Sequence, residues 1–459
     1  MTTSEFRAAF RRNPRDRAIA ALAIPALGTL AIDPIVTIVD TAWVARLGTV
    51  PLAALAVAGA VFAAVFSLFN FVQVAVTPLI AGAVARDDLP RAGGIATGAV
   101  AFAAVVGVIL AIAFVSLSSA VVELFGAEPE VATAAATYLR IRFLALPAML
   151  IAMVGHGVYR GHQDTKTPLY VAVALNIVNL VLDPILIFGF DLGVAGAAWA
   201  TVAAQFFAAG WFLVLMFSVQ RARLGVGLLR GRVRSLGLLE VLTAGWPMII
   251  RSIALLGAIT ATTAAAARLG AVETAAPQIA LPIWLFLAFV LDSLAIAAMA
   301  MIGKDLGTND RVSARALANR LLALGLLQGV GLSILLLATS PLVAIFFGVE
   351  PDVELSLEGI YILVIVLQPL TALVYVWDGI GVGAASFKFM ALSMVVAGVC
   401  TVATLFLMGD TLFGIWTALV VLTGVRLVTF AGWHRWGRLS VGQDPSPSSQ
   451  AVGEPAGSQ

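Results

Sequence analysis

Apolar residues along this chain gather in runs of about 20 or more, a length that crosses a bilayer as a helix rising ~1.5 Å per residue. Twelve such runs fall near residues 18–45, 52–84, 93–119, 133–158, 168–190, 194–218, 238–264, 276–303, 316–338, 357–380, 388–408 and 411–433. Each is predicted to be a helix. A single chain in lipid satisfies its backbone only in helices or a closed barrel, and these runs are too long for barrel strands. The first run departs from the pattern, because it holds Pro25, Asp33, Pro34 and Asp40. An Asp at a span centre costs roughly 2.5–3.5 kcal/mol, so both acids must face protein or water. Their spacing of seven puts them on one helical face, two turns apart. Pro25 and Pro34 each remove an internal hydrogen bond and invite a bend.

Composition agrees with the pattern. The 459 residues are 61% hydrophobic and 11% charged, with a mean hydropathy of +1.03, far from the mix of soluble domains. The fold class expected is an all-α integral membrane protein. The single cysteine, Cys400, allows no internal disulfide and reads as a small core residue. No cleavable signal is expected, since the run after the basic Arg7–Arg17 stretch is too long and contains acids.

Charge in the connections sets the orientation. One side collects Arg7 to Arg17, Arg86, Arg91, Arg160, Lys166, Arg221 to Arg234, Lys304 to Arg315, Lys388, Arg435 and Arg438. The other carries Glu123, Glu128, Glu130, Asp191, Glu273, Glu350, Asp352, Glu354 and Asp410. The basic side is expected to be cytoplasmic, with both termini there and the protein in the cell membrane. The domains expected are a basic N-terminus (1–17), a first lobe (18–219), a basic inter-lobe loop (220–237), a second lobe (238–434) and a disordered tail (435–459).

The lobes repeat at a shift of 222 residues: Pro25 with Pro247, Arg46-Leu47-Gly48 with Arg268-Leu269-Gly270, Asn70 with Asp292, Pro147 with Pro369, Gly161 with Gly383 and Lys166 with Lys388. Six spans per copy imply a pseudo-twofold axis along the membrane normal and a cleft between lobes that opens alternately to either side. Asp40 maps to Thr262 and Asp33 to Leu255, so the acidic stripe belongs to the first lobe alone.

The fifth run carries the second polar cluster. Asn176, Asn179 and Asp183 share a face by spacings of three and four. If Asp40 faces this cluster, two carboxylates meet inside the lobe. They cannot both ionise cheaply, so the pair holds a proton or attracts a cation. No phosphate-cradling loop is present, which points to an ion gradient as the energy source. The three histidines show no metal spacing, and no cofactor beyond a coupling H+ or Na+ is expected.

Several segments in order and spacing resemble the multidrug and toxic compound extrusion (MATE) family, in its DinF-like branch. These are Ile24-Pro25, Val39-Asp40-Thr41 and Arg46-Leu47-Gly48, Tyr138 to Pro147, Arg160 to Leu169, Asn179 to Asp183-Pro184 and Gly193 to Ala198. The resemblance implies a V-shaped pair of six-helix bundles that exports organic, often cationic compounds in exchange for protons or sodium. It implies a coupling site at Asp40, Asn179 and Asp183, with hydroxyls from Thr201 and Tyr138, and a first-helix bend at Pro25. Asp33, acidic where relatives are often uncharged, and Asn176 are assigned to the substrate cavity. The branch with a second cation site has an acid in the seventh span; here Arg251 and Thr262 stand there, which leaves Asp292 and Asp378 as possible second-lobe sites. Arg140 and Arg142 are expected to anchor or pair within the lobe.

The partners expected are lipophilic or cationic small molecules and membrane lipid, with no nucleic acid, and a monomer. The alternative is a lipid-linked oligosaccharide flippase of the same superfamily, which would want an Arg-lined cavity where this first lobe is acidic. An integral membrane transferase or hydrolase would need a catalytic group with an orienting partner, and the histidines offer none, so no enzyme is expected.

Overall fold

A computed structural model describes residues 10, 13–123, 126, 128–226, 233–266, 268, 271–347, 351–409 and 411–436. Most of the expected basic N-terminus, residues 227–232 of the inter-lobe loop, Asp410 and the tail from 437 lie outside the described residues. The chain is built of α1 (Asp16–Ala45), α2 (Thr49–Phe69), α3 (Phe71–Ala85), α4 (Leu89–Glu123), α5 (Pro129–Phe143), α6 (Leu146–Gly161), α7 (Lys166–Pro184), α8 (Gly193–Val214), α9 (Val233–Ala266), α10 (Ala271–Gly307), α11 (Arg311–Phe347), α12 (Pro351–Gly383), α13 (Phe387–Met408) and α14 (Leu412–Trp436). Among the described residues, eleven spans are long and apolar enough to cross a membrane; the bent pair α5–α6 makes the twelfth. Apolar side chains such as Val105, Val108, Ile109 and Ile112 on α4 are exposed at helical spacing, the stripe a lipid-facing helix needs.

Several spans differ from the simple runs read along the chain, among them the sixth, which ends in a π turn over Leu215–Val219. The fourth breaks between Phe143 and Leu146 with a bend of 52°, because Pro147 lies in the first turn of α6 and has no N–H to continue the ladder. The fifth ends in a wider π turn after Pro184, closed by Phe190 N–H on the Ile185 carbonyl at 2.9 Å.

The 222-residue register reappears in the backbone. Asp87 and Asn309 both take positive φ (56° and 59°), as do Gln163 and Ala385 (57° and 50°), so the same left-handed turns close equivalent helices. Close crossings repeat as well. A Cβ added to Gly107 would lie 2.4 Å from Pro147 Cα, and one added to Gly329 would lie 2.7 Å from Pro369 Cα. In the first half α1 packs on α7, α3 and α4 on α6, and α7 on α8; in the second α9 packs on α13, α10 and α11 on α12, and α13 on α14.

The halves meet where α1 and α3 touch α10 and where α3 and α4 touch α9. Polar ties across this junction, among the described residues, lie at the end carrying the basic connections. Arg15 pairs with Asp305 at 2.6 Å, Arg320 holds Asp16 through Nε (2.8 Å) and Nη2 (2.7 Å), and Arg91 pairs with Glu240 at 2.9 Å. Arg86 donates to the Gly307 carbonyl at 3.2 Å and Lys304 to Gln163 at 3.4 Å.

Candidate functional site

Helices α1 and α7 each start at the basic end, so they run parallel, and both carry their polar residues at a spacing of seven. The two spacings match as rungs of a ladder roughly 10 Å apart. On the first rung Asn176 Nδ2 donates to Asp33 Oδ1 at 3.0 Å and to the Ala172 carbonyl at 2.9 Å. On the second, Asp40 and Asp183 lie within hydrogen-bonding reach of each other. Asn179, one turn before Asp183, donates to its Oδ1 at 3.4 Å. Thr165 fixes the two helices in this register from the connecting loop, through a buried hydroxyl bond of 2.9 Å to the Leu22 carbonyl.

The second rung is short of donors. Asp183 is 1% exposed and Asn179 3%, and both Asp183 Oδ2 and Asp40 Oδ1 are buried without a hydrogen-bond partner among the described residues. Buried carboxylate oxygens are costly to leave unpaired, and two touching carboxylates repel. A proton shared between them, or a small cation bound to both, satisfies the geometry.

Around this pair, Tyr138 is buried on α5 and hydrogen-bonds Arg142 one turn on. The Thr201 hydroxyl donates to the Ala197 carbonyl of its own helix at 2.9 Å. Pro25 sits inside an unbroken α1, with Thr29 donating to its carbonyl at 3.0 Å. In the second half, Asp378 gives one oxygen to both Arg251 (3.0 Å) and Arg426. Asp292 lies in their electrostatic field and in that of Arg160. Asp378 is therefore held by two guanidinium groups, whereas Asp40 and Asp183 each keep a buried oxygen without a partner among the described residues.

The MatE family profile matches residues 25–185 and again 247–426, two segments that begin 222 residues apart. This chain belongs to the MatE family. Protein DETOXIFICATION 44, chloroplastic, of Arabidopsis thaliana is 34% identical over 432 residues, which span 90% of this MatE chain and 81% of the plant protein. DNA damage-inducible protein F of Escherichia coli (strain K12) is 28% identical over 434 residues, 92% of each chain. A crystal structure of a MATE in the bent conformation superposes with a TM-score of 0.84 at 20% identity, covering 95% of this chain and 97% of the other.

The sequence of this MatE chain grouped Arg142 with Arg140 as anchors within the lobe, without placing it at the acids, and did not single out Arg426. Arg142 sits beside Asp40, and Arg426 holds Asp378. The i, i+4 step from Tyr138 to Arg142, which puts a buried phenol and a guanidinium on one face, was the available signal for the first. For Arg426, a lone Arg inside an apolar span was the signal.

Proposed function

We propose that this chain is a secondary antiporter that exports organic, often cationic compounds in exchange for H+ or Na+, by alternating access of two lobes. The contact between Asp40 and Asp183, each with a buried oxygen lacking a donor, carries this reading. Asn179 and Tyr138 position the pair, with Thr201 on the neighbouring helix, and the Asp33–Asn176 rung lines the path of a cationic cargo. Filling the pair with a cation removes its negative charge and releases the cargo; emptying it restores cargo binding. Each charge moved down 100 mV supplies ~2.3 kcal/mol. The basic end is taken as cytoplasmic by the positive-inside rule, so the ionic ties across the junction hold the two lobes together on that side. The efflux reading is supported by relatives whose names describe detoxification and, in Thermotoga maritima, a probable multidrug resistance protein NorM.

The test is transport of ethidium, a lipophilic cation, by the purified full chain in liposomes, with a pH or a sodium gradient imposed separately. One gradient is expected to drive wild-type transport. Asp40→Asn is expected to lose that response by at least roughly tenfold, ~1.4 kcal/mol of coupling. Wild-type rates in the variant would refute the coupling role.

A further inference from the structure

The carboxylate pair shares its pocket with a cation that the protein itself supplies. Arg142 on α5 is buried, and its guanidinium carbon lies 3.9 Å from the centroid of the Phe62 ring on α2. A guanidinium over an aromatic face keeps its charge and its place. It hydrogen-bonds Tyr138 and lies in the electrostatic field of Asp40. Its Nη1 is buried with no acceptor, while Asp40 Oδ1 and Asp183 Oδ2 are buried with no donor. The charged and titratable groups that act on the pair are thus Asp40, Asp183, Tyr138 and Arg142.

We infer that Arg142 makes this site selective for protons over sodium, an inference that rests on the coupling role proposed for Asp40 and Asp183. A proton placed between the acids becomes part of a neutral carboxyl group and leaves no cation for the guanidinium to repel. A sodium ion keeps its full charge beside Arg142 in a low-dielectric pocket, and it needs a shell of several oxygens. Few are offered. Asn179 turns its amide nitrogen to Asp183, and the two carboxylates already touch each other. When the proton leaves, the idle Nη1 is at hand to take the vacated oxygen of Asp40, so the resident cation and the transported one alternate on the same carboxylate.

The test is equilibrium binding of radioactive sodium to the purified full chain at pH 8, where protons compete least. Wild type and Arg142→Lys are expected to show no saturable binding. Arg142→Gln and Arg142→Met are expected to gain saturable sodium binding, because one neighbouring unit charge at low dielectric has been removed. Adding Asp40→Asn to either should abolish that binding. Saturable sodium binding by wild type that Asp40→Asn removes would overturn the inference. So would folded Arg142→Gln and Arg142→Met proteins that bind sodium no better than wild type, or sodium binding that survives Asp40→Asn. The coupling role is judged separately by ethidium transport in Asp40→Asn alone, so either reading can fail without the other.

Discussion

Asp183 is enclosed by protein, yet among the described residues Asn179 is the only side chain that donates to it, and over a long 3.4 Å. Losing the one donor to a buried carboxylate costs about 1–3 kcal/mol when the carboxylate must be charged. Asn179→Ala is therefore expected to slow gradient-driven ethidium transport by roughly tenfold, while the variant stays folded; unchanged rates would mean that Asn179 takes no part in the cycle. The two rungs were legible from spacing, since the seven-residue steps from Asp33 to Asp40 and from Asn176 to Asp183 match. The role of Arg142 was not. Arg140 and Arg142 are two residues apart and project from nearly opposite sides of α5, so the sequence alone does not say which one sinks inward. Arg140 bonds Ser119 at 2.7 Å on the exposed side, and Arg142 is the buried one, in the electrostatic field of Asp40.

The helices cross closely at small residues, and the crossings come in pairs related by the repeat. At Gly157 an added Cβ would lie 2.9 Å from the Gln73 carbonyl oxygen; at Gly379 it would lie 2.3 Å from that of Ala295. Backbone on the far side leaves no room to adjust. Gly107→Ala, facing Pro147, is expected to destabilise by about 1–3 kcal/mol, as is Gly329→Ala at the equivalent crossing. Gly59→Ala and Gly210→Ala meet nothing within 4 Å and are expected to be neutral or slightly stabilising. Thermal unfolding of the four purified variants checks this, and equal losses at all four positions would contradict it. The lengths of the apolar runs located the spans, although several helices extend past them, as α11 does in reaching from Arg311 to Phe347 where the run spans 316–338. The fourth span's bend at Pro147 was hidden because hydropathy has no term for a missing N–H.

The whole molecule is two copies of one six-span unit that have diverged in charge. The first interior keeps acids with spare oxygens, whereas the second ties Asp378 to Arg251 and Arg426. The repeat was visible in the sequence, as was the gathering of basic residues in alternate connections. The ties across the junction were not, since nothing along the chain places Asp16 beside Arg320 or Arg91 beside Glu240. If one carboxylate pair alternates between a proton and the consequences of cargo binding, the two events exclude each other. Proton release on cargo binding tests this most directly: ethidium is added to the purified full chain in weakly buffered detergent solution, and a pH indicator counts the protons set free. Wild type is expected to release about one proton per dye bound, and Asp40→Asn and Asp183→Asn none. Dye binding to wild type without proton release, or the same release from Asp183→Asn, would contradict it.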